Sequence, residues 1–193
     1  MKYVALEGID GSGKDVQARL LEQAWRAEGR VVANGREPTR GAVGGLLREK
    51  LATGDHPRSH ALLFVADRIA AEDGRRVLLE SGAWLVQVRS FLSTLVYQQE
   101  QWLLPELESM HAGVRLWPDL VVVLDVPTME AMGRITARGG PRECYEGALL
   151  LTAARSAYLG YVEAGTALGV RVVGVDGTGT PEEVSARVRE VTG

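Results

Sequence analysis

A chain of 193 residues with 46% hydrophobic content has enough apolar side chain for one sizeable core, and it is near the ~150-residue scale of one domain, so a single domain over 1–193 is expected. The formal charge of −3 offers no basic field to a polyanion, which argues against nucleic acid as a main partner and favours a small anion held by a few placed arginines. The lone Cys144 excludes an internal disulfide and any multi-cysteine zinc site, a usage that suits the cytoplasm; no secretory leader is expected, and no apolar run approaches the ~20 residues of a membrane span.

The first strand is predicted at Tyr3 to Leu6, and Gly8-Ile9-Asp10-Gly11-Ser12-Gly13-Lys14-Asp15 follows it. This stretch matches the phosphate-cradling loop G-x-x-x-x-G-K-[ST] in every position but the last. Glycines let successive backbone N–H groups converge on phosphate oxygens, the lysine reaches the outer phosphates, and the final hydroxyl meets Mg²⁺. Asp15 stands where that hydroxyl belongs. A helical pattern from Val16 to Ala27, carried by Leu20, Leu21 and Trp25, places the anion on a helix N-terminus. Only three lysines occur in the chain, so the placement of Lys14 inside the loop is hard to read as an ordinary surface lysine.

Further strands are predicted at Val31 to Asn34, Ala83 to Val88, Leu120 to Asp125 and Val170 to Val175, with helical patterns between them. Such alternation gives a parallel sheet with helices on both faces, and its binding residues gather beyond the C-terminal strand ends. Those ends carry Glu7 to Asp10, Arg36-Glu37-Pro38-Thr39, Arg89, and Asp125-Val126-Pro127. Arg36 and Arg89 have the guanidinium forks that clamp a phosphate; the alternative is a structural ion pair at a strand end. Phe64 and Arg68 lie one helical turn apart on one face, where a base could stack and be held by its edge, although an apolar stretch such as Ala61 to Ala66 favours a plain core role for Phe64 on composition alone.

Arg134, Arg138 and Arg142 recur every four residues, a spacing that Gly139-Gly140-Pro141 interrupts. Pro181-Glu182-Glu183 opens the last helix, with acids on the positive end of its dipole. His56, His60 and His111 have no partner at metal-ligand spacing and read as solvated surface residues. Trp25, Trp84, Trp102 and Trp117 read as core or interface.

These blocks, in this order, resemble the thymidylate kinases. Carrying the resemblance are Glu7 to Lys14 with Gln17; Arg36-Glu37-Pro38-Thr39; Leu62-Leu63-Phe64-Val65-Ala66-Asp67-Arg68; Arg89 with Ser93-Thr94-Leu95-Val96-Tyr97-Gln98; Pro118-Asp119-Leu120 through Leu124-Asp125-Val126-Pro127; and Arg138-Gly139. The resemblance implies a five-stranded nucleoside-monophosphate kinase fold, transfer of the γ-phosphoryl of ATP to dTMP, Mg²⁺ dependence and a homodimer. It implies an ATP site over Gly8, Ile9, Asp10, Gly11, Ser12, Gly13, Lys14 and Asp15; the metal ligand expected there is Asp15 on its own chemistry, since a carboxylate oxygen suits a hard cation such as Mg²⁺. It further implies an acceptor site of Asp10, Arg36, Glu37, Pro38, Phe64, Arg68, Arg89, Ser93, Tyr97 and Gln98. Within that site Asp10 would take the 3′-hydroxyl, Phe64 would stack on thymine, Arg68 would donate to its edge, Gln98 would contact the base, and Tyr97 would crowd the 2′ position. Segment 134–147 resembles the family's lid, from which Arg138 and Arg142 would join Lys14 and Arg89 in catalysis. Three positions depart from the family: Asp15 replaces the hydroxyl, Val88 replaces an aspartate before Arg89, and Ser90 replaces an aromatic residue. A kinase of another or modified deoxynucleotide and a non-catalytic nucleotide-binding relative are the alternatives those departures raise.

Overall fold

In the computed structural model, residues 2–139 and 147–193 are described. The elements run β1 (Tyr3–Glu7), α1 (Lys14–Ala27), β2 (Val32–Arg36), α2 (Ala42–Thr53), α3 (Pro57–Ala70), α4 (Glu72–Glu80), β3 (Trp84–Val88), α5 (Phe91–Tyr97) and α6 (Leu104–Met110). They continue through a single 3-10 turn (His111–Gly113) to β4 (Leu120–Asp125), α7 (Thr128–Arg138), α8 (Ala148–Ala164), β5 (Thr166–Ala167), β6 (Val170–Asp176) and α9 (Pro181–Thr192).

The sheet order is β2-β3-β1-β4-β6-β5. The five strands legible in the sequence are all parallel, with β1 central between β3 and β4. The sheet has six strands rather than five. The additional one, β5, runs antiparallel to β6, with Thr166 opposite Arg171 and Ala167 opposite Val170. The two residues joining them, Leu168 and Gly169, both have positive φ (49° and 79°), the backbone a two-residue hairpin turn requires. Two paired residues cannot display an alternating pattern, so nothing in the local sequence announces this strand.

Successive side chains of a strand face opposite sides of the sheet, and β1 feeds two cores accordingly. Val4 and Leu6 join Leu21 and Trp25 of α1, Val86, Val122, and Val184 and Val188 of α9. Ala5 faces the other layer, with Phe91, Leu92 and Leu95 of α5, Val121, Val123, and Leu151 and Tyr158 of α8. Each fully buried aliphatic side chain contributes about 1.5–3 kcal/mol of transfer free energy, and β1 and β4 are near-continuous runs of them.

The capping of α9 follows its sequence, since Thr180 accepts from the Glu183 amide at 3.3 Å and Glu183 returns a bond to the Thr180 amide at 2.8 Å. α7 stops at Arg138 where the glycines predicted it, with Gly139 at φ 71°. Arg134 and Arg138 therefore stand on a regular helix, while 140–146, with Arg142 and Cys144, lie outside the described residues. The tryptophans are structural as expected: Trp25 meets Trp84 edge-to-face at 4.9 Å, Trp117 meets Phe91 at 5.0 Å, and Trp102 donates to the Arg58 carbonyl. The histidines correct the expectation. His56 is exposed, but His60 and His111 are each only 2% exposed.

Candidate active site

The loop after β1 is built by two backbone demands. Gly11 has φ 83°, and a Cβ there would lie 2.3 Å from the Ala131 carbonyl oxygen of α7; at Gly8 (φ 135°) a Cβ would lie 2.7 Å from the Leu124 carbonyl oxygen of β4. Neither position tolerates a side chain, and the loop is thereby pressed against the ends of β4 and α7 while its amides lead into α1. Ser12 Oγ and Asp10 Oδ2 are buried with no hydrogen-bond partner among the described residues. Buried polar atoms left unpaired are costly, and a polar ligand seated in this loop would satisfy these two.

Lys14 is buried, and its ammonium donates to the Ile9 carbonyl at 3.2 Å and to Asp10 Oδ1 at 3.1 Å. Burial and the nearby Arg89 guanidinium push its pKa down, with Asp10 opposing both. Arg89 is held in the left-handed region (φ 65°) just after β3. Its Nη2 donates to the same Asp10 Oδ1, its Nη1 donates to Ser93 Oγ at 3.3 Å, and its guanidinium carbon lies 5.4 Å from the centre of the Tyr97 ring. Burial alone would raise the Asp10 carboxyl, but Arg89 and Lys14 outweigh it and hold the pKa near 2. One carboxylate thus joins the loop lysine to the arginine at the neighbouring strand end.

Beneath this pair Glu7 is fully buried and accepts from the Ser90 amide (2.6 Å), Ser90 Oγ (2.8 Å), the Ser93 amide (3.1 Å), Ser93 Oγ (2.7 Å) and Tyr158 Oη (2.8 Å). Ser90 also caps α5. This accounts for the departure at Ser90: in this chain the position is filled by a hydroxyl that ties α5 to β1.

A second buried cluster lies under the end of β2. Glu37 Oε2 takes Arg68 Nε at 3.1 Å and Nη2 at 2.6 Å, while Oε1 takes Arg75 Nη1 at 3.1 Å and Gln87 Nε2 at 3.1 Å. Arg68 Nη2 also donates to Thr94 Oγ1 at 3.2 Å and its Nη1 to His111 Nε2 at 2.9 Å. Thr39, next after Pro38, binds Asp67 through its amide (2.7 Å) and hydroxyl (2.6 Å), fixing the β2 end to α3. Pro38 follows a cis peptide bond. Phe64 is half-buried, one turn from Arg68, and belongs to neither core cluster. Tyr97 and Gln98 are buried at the end of α5, where Tyr97 meets Tyr158 edge-to-face at 6.3 Å.

Asp15, Arg36 and Arg134 make contacts that the sequence does not announce. Asp15 and Arg36 are both exposed, and Arg36 Nη2 donates to Asp15 Oδ1, so the departing loop residue is paired with a guanidinium at the end of β2. Val88 lies opposite Arg36 in the sheet, so the carboxylate absent at 88 and the one gained at 15 both adjoin Arg36. Arg134 reaches the loop itself: Nη1 approaches the Ser12 carbonyl at 3.4 Å, and Nη2 binds the Gly177 carbonyl at 3.0 Å and Glu130 at 2.6 Å. Sequence reasoning placed Arg134 in the lid; its four-residue spacing from Glu130 was the available signal. It missed Arg75, Gln87, Thr94 as a partner of Arg68, and above all His111.

The family model for thymidylate kinase matches residues 6–188. A probable thymidylate kinase of Pyrobaculum aerophilum is 36% identical over 197 aligned positions, covering 99% of this chain and 96% of the relative. One from Thermococcus onnurineus is 38% identical, covering 83% and 84%, and a thymidylate kinase of Thermosipho africanus is 30% identical, covering 98% and 96%.

Proposed function

The chain belongs to the thymidylate kinase family, and we propose from that premise that it transfers the γ-phosphoryl group of ATP to dTMP, giving dTDP and ADP. The observation that carries the reading is Asp10 Oδ1, shared by Lys14 and Arg89. It binds the lysine of the donor loop to the arginine of the acceptor side within one buried cluster. Phosphoryl transfer needs alignment, charge neutralisation and exclusion of water more than covalent help, and this cluster is suited to all three.

In this reading the amides of Gly11 to Lys14 and the Lys14 ammonium hold the β- and γ-phosphates. Arg89, with Arg36, holds the acceptor phosphate. An acceptor phosphate oxygen attacks the γ-phosphorus, a new P–O bond forms, the bond to the β–γ bridging oxygen breaks, and ADP leaves with that electron pair. Arg138 and Arg142 supply positive charge from the lid at 134–147. Phe64 stacks on thymine, Arg68 meets its edge with Gln98, Asp10 Oδ2 takes the 3′-hydroxyl, Tyr97 closes the 2′ side, and Glu37, Pro38 and Ser93 shape the floor.

Mg²⁺ prefers hard oxygen donors, and the exposed Asp15 carboxylate beside the loop is one. Among the described residues no group of three or more acidic, histidine or cysteine side chains could hold an ion alone, so nucleotide phosphates would complete its shell. When bound, the ion offsets phosphate charge. The protein is further proposed to be cytoplasmic, a single domain and a homodimer. No helix among the described residues is long and apolar enough to cross a membrane.

An ADP-release assay with ATP, Mg²⁺ and a panel of nucleoside monophosphates tests the reading. The fastest turnover is expected with dTMP; no ADP release with any acceptor removes the activity, and a clear preference for another deoxynucleotide replaces dTMP.

A further inference from the structure

His111 sits at the junction of α6 and the following 3-10 turn, 2% exposed, 43 residues from the arginine it meets. Its tautomer follows from its partners. Nδ1 lies 2.7 Å from the Leu107 carbonyl oxygen, which can only accept, so Nδ1 carries the proton. Nε2 lies 2.9 Å from Arg68 Nη1, which can only donate, so Nε2 presents its lone pair. Phe91 and Trp117 pack around the ring, each with centroids 6.3 Å away. Burial and the adjacent Arg68 charge keep the ring neutral, holding its pKa near 4 against the lift from the Leu107 bond.

A guanidinium has five N–H bonds in a rigid plane. In Arg68 the Nε hydrogen goes to Glu37, the two Nη2 hydrogens go to Glu37 and Thr94, and one Nη1 hydrogen goes to His111. Among the described residues no acceptor takes the fifth. We propose that His111 is a positioning residue for acceptor recognition: by accepting one hydrogen of Arg68 Nη1 it leaves the other as the single, fixed donor that Arg68 presents to a carbonyl oxygen on the base edge. This rests on the reading that Arg68 meets the base. Glu37 and Thr94 pin one edge of the guanidinium, and His111 pins the opposite nitrogen. Without it a buried N–H lacks a partner, and the plane turns or admits water.

The test is steady-state kinetics of the full chain with ATP, Mg²⁺ and dTMP. His111→Leu is expected to raise the KM for dTMP about tenfold, leaving kcat and the KM for ATP within about twofold, since hydrogen bonds to charged groups are the stronger class. His111→Gln, whose amide oxygen can accept from Arg68, is expected to recover most of the loss, which a defect of packing alone would not allow. Arg68→Lys separates the two levels. If it leaves the KM for dTMP unchanged, the reading of Arg68 fails and this inference with it; if it raises that KM while His111→Leu does not, the inference alone is overturned. Should His111→Leu not fold, nitrogen NMR of histidine-labelled wild-type protein decides. A non-protonated Nε2 that shifts on saturation with dTMP is expected, and a protonated Nε2, or none of that shift, overturns the proposal.

Discussion

The phosphate loop and the floor beneath β2 are both largely buried, polar and charged, yet they are made in opposite ways. The loop is one continuous stretch of eight residues whose shape is set by backbone, with Gly8 and Gly11 fitted against carbonyl oxygens of β4 and α7. The floor is assembled from Glu37, Arg68, Arg75, Gln87, Thr94 and His111, which come from separate elements and meet only on folding. The loop keeps unpaired buried atoms at Ser12 and Asp10, whereas the floor is close to saturated by its own bonds. The loop should therefore hold function at little cost to stability, and the floor should hold stability first.

The largest test of that division is Glu37→Gln. It leaves two arginines buried without their carboxylate, and breaking a buried pair from one side costs roughly 3–5 kcal/mol. The expected result is a loss of that size in urea unfolding. A loss under about 1 kcal/mol would mean that the floor is not where stability resides.

Lys14→Ala is the counterpart in the loop. Removing a preorganised cation from the transferring phosphates is expected to lower kcat by roughly 10²–10³. Stability should change by less than about 1 kcal/mol, because the Asp10 carboxylate keeps Arg89. Unfolding on a par with Glu37→Gln would erase the contrast, and unchanged nucleotide affinity in calorimetry would remove the phosphate-site assignment.

The same contrast explains what the sequence revealed. Five strands were legible because apolar runs such as Leu120 to Leu124 record burial on both faces, and the loop was legible because its chemistry is contiguous. β5 was hidden by its length, and its turn by Leu168, a residue that rarely takes positive φ. His111 read as surface because a single histidine carries no periodicity. Its burial comes from the nearby Trp117 together with Phe91 and Arg68, the last two at sequence distances over which local pattern holds no information. Composition alone read Phe64 as core while the resemblance put it at the acceptor base, and its half-buried position outside both core clusters emerges only once α3 is placed.

Acid is expected to strike the floor before the loop. The folded pKa of His111, about 4, lies below its usual 6.5, so between these values the unfolded chain binds a proton that the folded chain refuses. Its contribution is intact above pH 6.5 and is lost as pH falls towards 4, on the order of 3 kcal/mol in all. Asp10, held near 2 against 3.8, contributes stability above 3.8 that is lost only as pH falls towards 2. Chemical denaturation at pH 7.5 and 5 should show a decline, and His111→Gln should flatten it. An equal decline in that variant would assign the acid sensitivity elsewhere.

The smallest expected effect lies where the two regions touch, at the exposed pair of Asp15 and Arg36. Solvent-exposed ion pairs contribute about 0.2–1 kcal/mol, so Asp15→Ala should barely change stability. Its effects on ligands should have opposite signs. Arg36, released from the carboxylate, becomes fully available to the acceptor phosphate, and 1 kcal/mol corresponds to about fivefold in affinity, so dTMP should bind up to about fivefold more tightly. The hard oxygen beside the loop is lost at the same time, so Mg²⁺·ADP should bind more weakly. Val88, opposite Arg36 in the sheet, supplies no carboxylate to take over the pairing. Calorimetric titration of each ligand separately reads both signs. A fall in both affinities would assign Asp15 to the donor site alone, and a change in neither would leave its exchange for the usual hydroxyl without consequence for either ligand.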